Sequence, residues 1–225
     1  MVNHYKMSLP GSCFFLYIIF MKNLPHTLPV FPLSGVIYFP KTNLPLNIFE
    51  KRYLNLVNDA YNKDKLMGMV QSKKESGSVY QVGCLGKISD YQKSRDGRIL
   101  INLTGISRFK ILKEISNDKL YREFKVDYKD FNEDNSETIN LIDTKSLMEN
   151  AKNFFKRNGL LLNWKEFEKL DQSQKINTLA MIAPITNEEK QKLLESISLK
   201  NKVDTLESII SFYLHETNFN NQTIQ

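Results

Sequence analysis

Between Leu28 and about Tyr128, apolar positions fall in short runs of strand length and β-branched or aromatic composition, punctuated by Gly and Pro. Strands are predicted at Val36 to Phe39, Leu44 to Phe49, Lys65 to Gln71, Tyr80 to Tyr91, Arg98 to Thr104, Phe109 to Leu112 and Tyr121 to Tyr128. Turns are expected at Ser72 to Gly77 and at Asp96-Gly97, where Gly supplies the positive φ of a two-residue hairpin joining a strand that ends near Tyr91 to one that starts near Arg98. So many short strands in a row predict a barrel or sandwich. One helix interrupts it. Phe49, Tyr53, Leu56, Val57 and Ala60 lie at helical spacing and predict a face packed on the barrel, with Glu50 in the first turn near the positive end of the helix dipole.

After a polar stretch from Lys129 to Glu137, the apolar period lengthens from two to about 3.6 residues. Leu141, Ile142, Leu147, Ala151, Phe154 and Phe155 predict one long amphipathic helix stopped by Gly159. A second helix starts near Trp164 or after Asp171 and runs to Pro184 through Ile176, Leu179, Ala180 and Ile182. Thr186-Asn-Glu-Glu189 is a capping box that opens a third. Asn201 to His215 forms the last, with Leu206, Ile209, Ile210 and Tyr213 on its buried face. The expected organisation is α+β: a β domain with one helix over 24–130, an α-helical bundle over 131–217, and a flexible polar tail at 218–225.

Residues 1–23 are read separately. Cys13 to Met21 is the most apolar run in the chain, but it is far short of the about 20 residues that a helical membrane span needs. It also lacks the cleavage site of a secretory leader. Two readings stand: an over-extended start, with the native protein beginning at Met21, or a leader that associates with membranes.

Composition adds limits rather than clues. Lys plus Arg number 31 against 25 Asp plus Glu, a formal charge of +6 dispersed along the chain, which permits an anionic partner without requiring one. Cys13 and Cys84 have no Cys-x-x-Cys partner, and His4, His26 and His215 have no ligand spacing, so no metal or other cofactor is implied and a reducing cytoplasm is expected. Gly86-Lys87 is followed by Ile88, not the Ser or Thr that a phosphate loop uses to hold magnesium. No nucleophile elbow, zinc-protease helix or dinucleotide turn is present. Gly83 and Gly86, flanked by strand on both sides, are expected to allow a bulge or a close strand approach.

The segment from Leu28 to Tyr53 has the most specific pattern: Leu-Pro-Val-Phe-Pro-Leu-Ser-Gly-Val-Ile-Tyr-Phe-Pro, then Leu-Pro-Leu-Asn-Ile-Phe-Glu-Lys-Arg-Tyr. It resembles the opening of the Lon protease N-terminal, substrate-binding domain. The resemblance extends through Val82 to Ile88, Asp96 to Phe109 and Leu179 to Glu195, and so from about Leu24 to Leu214. It is carried by Pro32, Gly35, Pro40, Pro45, Phe49, Glu50, Arg52, Tyr53, Gly83, Gly86, Gly97 and Gly105. The resemblance implies a PUA-like pseudo-barrel followed by a helical bundle, and a non-catalytic role in recognising unfolded or tagged polypeptide. A stand-alone bacterial member of that family is expected, since the ATPase and peptidase modules of full-length Lon do not fit in 225 residues. The sequence departs from the family at Ser34, where Pro is frequent, at Lys41, where Gly is frequent, and at Asn47, where His is frequent. Glu50 and Arg52, two apart, are expected on different faces of a helix rather than paired.

Two sets of residues are candidates for binding. Tyr38, Phe39, Leu44, Met67 and Met69 would line an apolar groove for an extended peptide, with barrel core as their competing role. Lys87, Lys93, Arg95 and Arg98 would surround the Asp96-Gly97 turn as an anion or RNA contact, with a solvated hairpin tip as theirs. The leading function is a polypeptide-binding module, acting as an adaptor toward a protease or chaperone partner. An RNA-binding PUA-like protein is the alternative. No nucleophile and base are nominated for a hydrolase, and oligomeric state is not fixed by the sequence.

Overall fold

The computed structural model describes residues 24–73, 77–135 and 142–220, with backbone alone for 133–135 and 216–220. The apolar run Cys13 to Met21, the alternative start at Met21, the middle of the Ser72 to Gly77 turn, Leu141 and the last five residues lie outside the described residues.

Among the described residues six strands form one mixed sheet: β1 (Thr27–Leu33), β2 (Asn43–Ile48), β3 (Leu66–Gln71), β4 (Val82–Lys93), β5 (Ile99–Ile115) and β6 (Arg122–Asp127). Helix α1 (Lys51–Asn62) lies between β2 and β3, and a 3₁₀ segment (Lys129–Asn135) follows β6. Five helices follow among the described residues: α2 (Lys145–Arg157), α3 (Trp164–Phe167), α4 (Gln172–Ile182), α5 (Asn187–Glu195) and α6 (Leu199–Asn220). The strand order is β2-β5-β4-β3-β1-β6, and β6 pairs again with β5. Five strands therefore close on themselves, while β2 lies outside the ring against the first part of β5 alone.

Prolines occupy the sides of strands that have no partner. The first half of β1, Thr27 to Val30, pairs with β6, and the second half, Val30 to Leu33, pairs with β3. Pro29 and Pro32 each therefore sit where one side of the strand needs no donor, which is the condition a ring nitrogen without N–H requires. Two predicted strands, Arg98 to Thr104 and Phe109 to Leu112, are one strand of 17 residues. Gly105 does not end it: a Cβ there would lie 2.2 Å from the Phe39 carbonyl oxygen, so Gly permits a crossing chain while β5 passes from β2 to β6. Gly83 serves the same purpose, with Met69 O 2.4 Å from the position of a Cβ.

Val36 to Phe39 is not a strand. It has the length and composition that predicted one, but its side chains alternate between two different cores instead of the faces of a sheet. Tyr38 joins the barrel core with Leu56, Met67 and Leu103, whereas Ile37 and Phe39 enter the helical core with Leu147, Phe154, Leu179 and Leu206. A third cluster, built on Leu28, Leu85, Phe109 and Phe124, fills the other part of the barrel.

The helical part follows its local signals, except that α2 begins at Lys145, so Ile142 precedes the helix and packs on the helical core from outside it. Asp171 and Thr186 each form a complete capping box, with Gln174 and Glu189. Trp164 and Asp171 open separate helices, α3 and α4, and Gly159, at φ 66°, follows the end of α2. The β and helical parts are joined by polar contacts that the sequence does not announce. Arg108 of β5 is 1% exposed and donates to the carbonyls of Leu194, at 2.9 Å, Ser196 and Ile197 at the C-terminal end of α5, while its guanidinium stacks 4.4 Å from the Phe131 ring. A cation at a helix C-terminus meets the negative end of the dipole and the carbonyls left without intrahelical donors. Asn177 of α4 donates to Pro40 O at 3.0 Å and accepts from Lys202 of α6 at 2.7 Å; that buried ammonium also lies over the Phe39 ring.

Candidate functional site

The five apolar candidates are core residues. Tyr38, Phe39, Leu44, Met67 and Met69 are all buried, so none of them presents a surface to a ligand in this conformation. For Leu44 the reason is the pleat: Leu44, Leu46 and Ile48 turn toward the barrel, and Asn43, Pro45 and Asn47 turn out, whereas Met67 and Met69 lie on β3, every residue of which is buried, and Tyr38 and Phe39 fill the two cores already described. Burial raises the pKa of Tyr38 well above the usual phenol range, and its hydroxyl has no hydrogen-bond partner among the described residues.

Phe49 also differs from its expected place. It precedes α1 rather than packing within it, and is 66% exposed. Period two explains this better than period 3.6: Phe49 continues the outward phase of Asn43, Pro45 and Asn47. Glu50 likewise stands before the helix, as its N-cap, with extended backbone at φ −72° and ψ 132°. Since Glu50 is not helical, the opposite-face rule does not hold, and Arg52 donates to its carboxylate at 2.9 and 3.0 Å.

The outward face is shared by three strands. Asn43 lies opposite Thr104, Pro45 opposite Asn102, and Asn47 opposite Leu100. Thr104, Asn102 and Leu100 in turn lie opposite Lys87, Asp90 and Gln92 of β4. The middle is polar, laced by Thr104 to Asn43 at 2.8 Å and Asn102 to Ser89 at 3.2 Å. Toward the hairpin end it becomes apolar, with Leu100 42% exposed and Phe49 diagonal to it. Signals for both were present in the strand alternation.

β2 has one strand neighbour, so its outer edge pairs with no strand among the described residues. The bond from Gly105 N to Thr42 O fixes the phase of the ladder: Leu44, Leu46 and Ile48 exchange bonds with β5, and the backbone groups of Asn43, Pro45 and Asn47 point to the open side. Pro45 fits there because it has no N–H to offer β5.

The basic candidates divide. Lys93, Arg95 and Arg98 are exposed around the hairpin loop, while Lys87 lies six residues back along β4, ~20 Å away at strand rise. The loop is larger than two residues. Ser94 N bonds Arg98 O at 2.8 Å and Gly97 N bonds Ser94 O at 3.1 Å, with Gly97 at φ 89°, which makes a type I turn closed by a left-handed glycine. Arg98 is held by Asp96 at 2.6 Å, and that hydrogen-bonded partner keeps the Asp96 carboxyl below the usual carboxylate range. The four basic residues therefore do not form one patch.

The model of the ATP-dependent protease La (LON) substrate-binding domain matches residues 27–211. The chain belongs to the LON substrate-binding domain family. Among its relatives, the Lon protease of Syntrophus aciditrophicus is 27% identical over 207 residues, which cover 85% of this chain and 26% of that protein. The Lon protease of Dictyoglomus thermophilum is 23% identical over 205 residues, covering 86% and 25%. The chain thus spans about a quarter of the length of these curated relatives. Two solved structures share the fold: a Lon N-terminal domain protein from Xanthomonas campestris (TM-score 0.60, 21% identity, covering 81% of this chain and 97% of that one) and the N-terminal domain of the Mycobacterium avium complex Lon protease (TM-score 0.62, 16% identity, 82% and 98%). The fold is α+β and PUA-like, as the LON resemblance implied. Among the described residues no helix is long and apolar enough to cross a membrane, and no group of His, Cys, Asp and Glu side chains could hold a metal ion.

Proposed function

We propose that this LON-family chain is a non-catalytic module that binds extended polypeptide by strand addition at the outer edge of β2, and that it presents such segments to a protease acting in trans. The observation that carries the reading is the coincidence of an edge strand having a single partner with the outward Phe49 and Leu100 beside it. An added strand gains main-chain hydrogen bonds from Asn43, Pro45 and Asn47, and its alternate side chains meet the apolar end of the face. Phe49 and Leu100 replace the buried candidates as the side chains in contact. Unfolded chains offer such segments and folded ones do not, which suits a domain whose family is named for substrate binding.

The test uses a fluorescent peptide of alternating Val and Thr. Saturable anisotropy is expected, and N-methylating one alternate set of its amides should abolish binding while the other set is tolerated, because only every second N–H faces β2. Equal effects of the two sets would exclude strand addition. F49D and L100D should weaken binding without changing thermal stability, both residues being exposed.

A further inference from the structure

The β2 edge is electrostatically lopsided. Its Ile48 end lies against Ile99, the first residue after the β4–β5 hairpin loop, and the chain continues there into Phe49, Glu50, Lys51 and Arg52. Glu50, Lys51, Arg52, Arg95, Asp96 and Arg98 lie within four residues along the chain of the Ile48–Ile99 pair, and Lys93 lies across the ladder from Ile99, which together give that end a formal charge of +3. Both carboxylates are already paired, Glu50 with Arg52 and Asp96 with Arg98. At the Asn43 end, Lys41 is paired with Asp171 at 3.2 Å, and Lys87 stands across β5 from the edge.

From this asymmetry, and resting on the strand-addition reading above, we infer that the site selects extended apolar segments preceded on their N-terminal side by acidic residues. The direction follows from the ladder. Antiparallel pairing is the commoner and slightly more stable arrangement. A strand antiparallel to β2 starts at the Ile48 end and runs toward Asn43, so the residues before the apolar core lie beside the five cations and its C-terminal flank does not. The cations are exposed, so they act through water as a screened field and set preference rather than the bulk of the affinity. Phe49 and Leu100 sit between the edge and the loop, which places the first apolar side chains of the ligand next to its acidic flank.

Four labelled peptides with one apolar core test this: Asp-Asp before the core, Asp-Asp after it, Lys-Lys before it, and uncharged flanks. In about 50 mM salt the first should bind about fivefold tighter than the uncharged peptide, and in about 0.5 M salt the two should converge. The double variant K93E/R95E should remove the preference while still binding the uncharged peptide. Equal affinity of all four, or a preference for acid after the core, overturns the inference and leaves strand addition standing. Binding by none of them overturns both.

Discussion

Arg108 offers the sharpest quantitative test of how the two parts of the molecule are joined. Replacing it by Ala removes bonds to the carbonyls of Leu194, Ser196 and Ile197 and the stack on Phe131, and leaves acceptors unpaired at a partly buried helix end, the Leu194 carbonyl among them. A hydrogen bond from a charged donor contributes about 1.5 to 3 kcal/mol, so two well-made bonds plus packing predict a loss of about 4 kcal/mol. That is a large share of the 5 to 15 kcal/mol or so that holds a domain folded, and it corresponds to a fall in Tm of roughly 8 to 16 °C. R108K should lose about 2 kcal/mol, because an ammonium keeps the charge but not the planar fork that reaches several carbonyls. Urea unfolding followed by far-UV circular dichroism and by fluorescence of Trp164, the single tryptophan, reports the whole fold and the helical core separately. A loss below about 1 kcal/mol for R108A, with an unchanged m-value, would refute the view that this side chain fastens β5 to α5.

Other outcomes follow from single positions. Lys41 has φ 60°, a left-handed conformation that favours Gly, so K41G should gain about 0.5 to 1 kcal/mol in urea denaturation despite losing the Asp171 pair. G105A should lose about 2 to 4 kcal/mol because its methyl would overlap Phe39 O, whereas G97A, in open space but at φ 89°, should lose only about 1 kcal/mol. Hydrogen bonds from Arg122 at 2.6 and 2.7 Å hold the Glu114 carboxyl below its ordinary value of 4.5. That stabilisation is complete above the unfolded-state pKa and disappears as pH falls through the folded one, so the stability gap between wild type and E114Q should close on acidification; a gap constant from pH ~6 to ~3 would contradict it.

Local signals were legible where a residue acts on its own neighbourhood. The Thr186 capping box, the stop near Gly159 and the turn glycine at 97 all depend on partners within a few residues. The inward face of α1 was legible for the same reason, through Tyr53, Leu56, Val57 and Ala60. Phe49 is ambiguous in the sequence because two periods overlap at a strand-to-helix junction, and an apolar residue fits either one. Glu50 and Arg52 pair because the helix begins one residue after Glu50, a boundary that composition does not mark. Arg108 gave no usable sign, since the carbonyls it serves lie 86 to 89 residues away in sequence. The open edge of β2 belongs to the same class: which strand lacks a neighbour depends on how all six are ordered, not on the composition of any one.

The stretch from Ile37 to Pro40 is sewn through both halves like a thread through two layers of cloth: Tyr38 is caught on one side, Ile37 and Phe39 on the other, and Asn177 ties it off at Pro40 O. Three residues beyond Pro40 the same thread becomes the edge strand β2. A tug on that strand is therefore taken up by α4 and α6 as well as by the barrel, and a ligand that stiffens β2 should slow hydrogen exchange around Asn177 and Lys202, in helices it never touches.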